Sequence, residues 1–127
     1  MTQPSNDVVI VIDPENQDGD DDLFVEALQG RSRLGYAHCS VTGRRLKIDD
    51  IVIEPAARGH GVRTALLNRV IAEAKSRGLV EIWGSVVRGD IDVCPQLLGW
   101  YQTNGFEVGP PNDPDFNLAE YGVRLRL

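Results

Sequence analysis

The sequence predicts a single α/β domain of the α+β type over residues 1–127, a mixed, mostly antiparallel sheet whose fourth and fifth strands run parallel. Three observations predict this. The runs 23–28, 34–41 and 46–53 are apolar and rich in strand formers, and two short Gly-containing turns join them into an antiparallel meander. Val62, Leu66, Leu67, Val70, Ile71 and Ala74 then recur at helical spacing. A further apolar run, 80–87, follows that helix, and a strand–helix–strand crossover makes the strands that it joins parallel.

The remaining elements follow in order. Val8 to Ile12 is mostly β-branched and reads as the first strand. The acid-rich run 13–22 reads as a loop before the second strand, 23–28. Gln29-Gly30-Arg31-Ser32 turns the chain into the third strand, and Thr42-Gly43-Arg44 into the fourth, 46–53. The helix covers 61–77, with Gly78 placed to stop it. After the fifth strand, Asp92 is the expected N-cap of a short helix through Tyr101, with Pro95 in its first turn. Asn104-Gly105 closes that helix, 106–108 is a short strand, 109–119 a Pro-, Asn- and Asp-rich loop, and 121–127 the last strand.

Composition narrows the function. Hydrophobic residues make up 42% and charged residues 25%, ordinary for a globular protein. The net charge is −6, and residues 1–30 hold eight of the acids and no Lys or Arg. This balance disfavours a nucleic-acid partner, which wants a basic face. No apolar run approaches a membrane span, and residues 1–7 carry no basic n-region, so the expected location is the cytoplasm. Cys39 and Cys94 are too few and too isolated for a disulfide framework or a zinc site, and no metal is expected. The acidic run does not fit an EF-hand, because Pro14 and Val25 fall where ligands are needed. It reads as a solvated loop or as an electrostatic lure for a cationic substrate.

The stretch 54–67 points to chemistry. An apolar strand ending at Ile53 runs through a loop containing Gly59 and Gly61 straight into the amphipathic helix. Such a loop aims free amides at one spot, at the positive end of the helix dipole, where a pyrophosphate is held well. It is neither a Walker motif, since no Gly-Lys-Ser/Thr follows, nor a G-x-G-x-x-G fingerprint.

The loop resembles the acyl-CoA loop of the GNAT superfamily of N-acetyltransferases, Q/R-x-x-G-x-G/A after a strand ending V-x-P. Ile53-Glu54-Pro55 corresponds to V-x-P; Arg58, Gly59, His60, Gly61 and Val62 to the loop; and Thr64-Ala65-Leu66-Leu67 to the helix start. Downstream, residues 98–106 are similar to the family's L/F-Y-x-x-x-G-F segment, with Tyr101 as its tyrosine. The two matches, in order and with a helix and a strand between them, cover roughly 23–127. The family's two early helices are missing from the pattern, the acidic run standing in their place.

That resemblance implies acetyl-CoA as acyl donor, held in a splay between strands four and five. Ile51, Val52 and Ile53 would pair with its pantetheine, and the amides from Gly59 to Thr64 would take its pyrophosphate. The acceptor would be a primary amine of a small molecule or peptide, possibly cationic, attacking directly. Tyr101 would protonate the departing thiolate. Asp49 is the leading carboxylate for the amine proton, because some members, glucosamine-phosphate N-acetyltransferases among them, carry an acid there near the active site. Asp50 and Glu54 are the alternatives, with Asp49 and Asp50 expected on opposite faces of the strand. Two positions depart from the family: Arg63 replaces a small residue and either crowds the pyrophosphate or pairs with a phosphate of CoA, the second being preferred. Cys94 replaces an Asn seven residues before the tyrosine. Dimers are common in the family. A module that binds acyl-CoA without catalysis, and an interaction domain without ligand, are the competing readings.

Overall fold

The computed structural model describes residues 7–12, 21–109 and 121–127. All its strands, β1 (Val9–Ile12), β2 (Asp22–Gln29), β3 (Ser32–Thr42), β4 (Arg45–Ile53), β5 (Glu81–Val86), β6 (Glu107–Gly109) and β7 (Tyr121–Arg126), join one sheet. Its order is β1-β2-β3-β4-β5-β7-β6. β4 and β5 are parallel, and every other neighbouring pair is antiparallel. The acidic run from Asp13 to Asp20 and the expected loop from Pro110 onward lie outside the described residues. Among the described residues no α-helix lies between β1 and β2.

The helix α1 (Val62–Ser76) buries Val62, Leu66, Leu67, Val70 and Ala74. The sheet answers with Leu23, Val25 and Ala27 of β2, Ala37 and Cys39 of β3, and Ile48 and Ile53 of β4. A helix of this length is marginal alone in water, so packing holds it. Full burial of Leu66 or Leu67 contributes about 1.5–3 kcal/mol each. Gly78 ends the helix as its position predicts: at φ 73° it lets its own amide reach Lys75 O and the Leu79 amide reach Ala74 O.

Two expectations need correction. The single short helix is two, α2 (Arg88–Val93) and α3 (Leu97–Thr103). Pro95 disfavours helical geometry at Cys94, which sits at φ −134°, ψ 88°. Asp92 therefore lies inside α2 rather than capping it, and Asp90 accepts from the Val87 amide at 3.2 Å. Nor does strict alternation run through β4. His38 stands opposite Asp50 and Cys39 opposite Ile48, so Asp49 is the extra residue of a β-bulge. The buried positions of β4 shift from Leu46 and Ile48 to Ile53 across it, while Asp49 and Asp50 are both exposed.

Candidate active site

β4 and β5 are paired only from Arg45/Glu81 to Ile48/Gly84. Past that point each strand keeps its outer partner, β4 with β3 through Ile53 and β5 with β7 through Val86. The bulge at Asp49 bends β4 where the two strands part. A cleft of about 740 Å³ opens between them, bounded by the first turn of α1 and by α2 and α3. The inner edge of β4 at Ile51, Val52 and Ile53 faces it without a strand partner on that side.

At one end of the cleft the chain passes through a single 3₁₀ turn (Pro55–Ala57) into the Gly loop. Gly59 and Gly61 both sit at φ 79°, a left-handed conformation that other residues adopt at a cost. A Cβ on either would meet no atom within 4 Å, so the space above the loop is open. The first amide of this stretch to find a backbone acceptor is Ala65, on Gly61 O. The amides of Gly59 through Thr64 have no backbone acceptor among the described residues, and α1 begins here. Unpaired amides at a helix start are an arrangement that favours an anion.

Tyr101 lies deeper, on α3, and is 6% exposed. Trp100 and Phe106 pack against its ring edge-on, at 4.9 and 5.2 Å between centroids. The Phe106 amide bonds to Tyr101 O after the turn at Asn104-Gly105, which explains the spacing from Tyr101 to Phe106. No hydrogen bond engages the Tyr101 hydroxyl among the described residues, and burial raises its pKa above the ordinary value of 10.0. The Arg63 guanidinium pulls the other way, and Cys39 and Asp90 add to the rise.

The model of the acetyltransferase (GNAT) family matches residues 3–106. The chain belongs to the GNAT family. Its sheet, with the parallel β4–β5 pair, is the GNAT fold. An uncharacterised N-acetyltransferase of Methanocaldococcus jannaschii is 33% identical over 98 residues, 69% of this chain and 40% of the relative. Glucosamine 6-phosphate N-acetyltransferase 1 of Oryza sativa subsp. japonica is 31% identical over 64 residues, 50% of this chain and 34% of that protein. The GNAT chain thus spans well under half the length of these curated relatives. Among solved structures, the PaiA N-acetyltransferase of Thermoplasma acidophilum, crystallised with coenzyme A, superposes with a TM-score of 0.70 at 18% identity. That match covers 84% of this chain and 62% of the other.

The GNAT cleft brings together most of the residues singled out from sequence. Asp49, Asp50, Ile51, Val52, Ile53, Arg58, Gly59, Gly61, Val62, Arg63, Thr64 and Tyr101 all line it. His60 and Glu54 do not. The Arg58 Nε–H turns back to Ile53 O at 3.4 Å. Asp49 lies 3.9 Å from His38 Nδ1 and keeps a loose ion pair with Lys47 at 4.0 Å. The Arg63 side chain runs to Cys94, donating from Nη1 to Sγ at 3.3 Å, so the two departures from the family pattern touch each other. The Thr64 hydroxyl accepts from Trp100 Nε1 at 2.9 Å, tying α1 to α3.

Sequence reasoning missed two residues at this site. Ser85 lines the cleft just past the last β4–β5 pair, and its buried Oγ has no hydrogen-bond partner among the described residues. A lone hydroxyl in an apolar strand was the available signal. Asp90 also lines the cleft, as Asp92 does not, and accepts from the Val87 amide. Outside the cleft, His38 stands opposite Asp50 through a register that depends on the bulge, with Nδ1 3.9 Å from Asp49 and Nε2 3.7 Å from Asp22. No cluster of three or more His, Cys, Asp or Glu able to hold a metal occurs among the described residues. No described helix is long and apolar enough to cross a membrane.

Proposed function

We propose that this protein transfers an acetyl group from acetyl-CoA to a primary amine of a small molecule or peptide. The observation that carries the reading is the parting of β4 and β5 into a cleft with unpaired amides at one end and Tyr101 in its lining. Acetyl-CoA supplies a thioester carbon open to attack by an amine. The amides of Gly59, His60, Gly61, Val62, Arg63 and Thr64 hold its pyrophosphate, and the free edge of Ile51 to Ile53 holds its pantetheine amides. Tyr101 gives its proton to the thiolate sulfur as the C–S bond breaks. Asp49, at the bulge, takes the proton of the attacking amine, directly or through water, or holds the amine as a cation. Its neighbour Asp50 adds negative charge at the same mouth and favours a cationic acceptor. The amine-acetylating relatives and the coenzyme A complex of a structural neighbour support this assignment.

Calorimetry with acetyl-CoA, then thiol release across a panel of amines, tests it. Binding with turnover is expected, and Tyr101→Phe should bind acetyl-CoA normally while losing about 10²–10⁴-fold in kcat. No binding at millimolar acetyl-CoA would overturn the reading. Binding without turnover on any amine would instead mark an acyl-CoA-binding module.

A further inference from the structure

Arg63 holds the wall of the cleft in an unusual way. It leaves the first turn of α1, donates to Cys94 Sγ at 3.3 Å, and lays its guanidinium 5.6 Å from the Trp100 ring centre. Trp100 is itself fixed by Thr64, and its ring meets that of Tyr101. Arg63 Nε is buried and donates to no group among the described residues. A fixed positive charge therefore stands beside the Trp100 ring, which packs edge-on against Tyr101, and both Arg63 and Tyr101 line the cleft. The phenol needs such a charge. When it gives up its proton, an anion is left in a nearly dry site, which is costly unless a cation is near. The other ionisable groups acting on Tyr101, Cys39 from β3 and Asp90 from α2, oppose that anion, and Arg63 favours it.

We propose that Arg63 is a positioning residue of the acyl transfer, its guanidinium, held by Cys94 and Trp100, stabilising the tyrosinate that forms when Tyr101 protonates the departing thiolate. The inference rests on the acyl-transfer reading above. The amine nitrogen bonds to the acetyl carbon, the electron pair of the C–S bond goes to sulfur with the Tyr101 O–H proton, and the proton the amine gives to Asp49 returns through solvent to the phenolate. Arg63 loses no proton and touches no bond that changes. This assigns its side chain to the thiol end of the site rather than to a phosphate.

The test separates coupling from turnover. A Tyr36→Phe, Tyr121→Phe protein labelled with 2,3,5-trifluorotyrosine leaves Tyr101 as its single phenol and brings its ionisation into a measurable range. Arg63→Met should move that ionisation upward by about one pH unit or more, and Arg63→Lys by less than half as much. In unlabelled protein, Arg63→Met should lower kcat about tenfold or more while the Kd for CoA changes less than about threefold, with Arg63→Lys recovering most of the rate. An unmoved ionisation would overturn the inference and leave the acyl-transfer reading standing. Equal losses from Met and Lys, or CoA affinity falling in step with kcat, would also overturn it. A shifted ionisation in a protein that releases no thiol with any amine would overturn the acyl-transfer reading itself. Should the Met variant fail to fold, the Lys variant against the parent carries the comparison.

Discussion

Tyr101 and Cys39 are weak acids kept neutral by the same physics, removal from water. The Asp49 carboxylate pushes the Cys39 thiol up further, whereas Cys94 is half-buried at the cleft wall. Only a thiolate reacts readily with an alkylating agent. Native protein treated with iodoacetamide at pH 8 should therefore be modified at Cys94 and spared at Cys39, as mass spectrometry of the digest will show. Labelling of Cys39 first would contradict its burial. The contact between Thr64 and Trp100 is equally local. Thr64→Val keeps the shape and strands the indole N–H, so we expect a loss of about 1–2 kcal/mol in urea unfolding.

At the scale of elements, the Gly loop and the end of α1 make a natural comparison. Gly61 and Gly78 sit at φ 79° and 73°, with open space where a Cβ would go. Alanine at either should cost about 1–2 kcal/mol through backbone strain, seen as similar falls in Tm. Only Gly61→Ala, among the unpaired amides, should also weaken acetyl-CoA in calorimetry. Equal affinity in both variants would remove the loop from cofactor binding. The bulge in β4 belongs to this scale too, because one unpaired residue, Asp49, shifts the buried positions of the strand and parts β4 from β5.

Across the whole molecule, the neutral acids set a limit at alkaline pH. Both pKa values are raised on folding, so above the ordinary values of 9.0 for Cys39 and 10.0 for Tyr101 the unfolded chain has lost protons that the native chain keeps. Stability is then full below about pH 9 and falls as pH rises, by up to about 1.4 kcal/mol per pH unit for each group. Urea midpoints from pH 8 to 11 should decline, and a Cys39→Ala, Tyr101→Phe protein should decline less steeply. A parallel decline in both proteins would place the effect elsewhere.

The sheet, α1 and the loop were legible in the sequence because each rests on local pattern. The strands follow β-branched runs between short turns, the helix follows the spacing from Val62 to Ala74, and the loop follows glycines before a helix start. The same patterns, joined to the tyrosine segment ending at Gly105-Phe106, were enough to reach the family. What the tertiary structure decided depends on distant residues meeting. The bulge at Asp49 follows from register with β3, and the splay from two strands choosing outer partners. Arg63 and Cys94 read as two separate irregularities until folding set them 3.3 Å apart beside Trp100. Periodicity records which face a residue turns inward; only packing decides which residue it meets there.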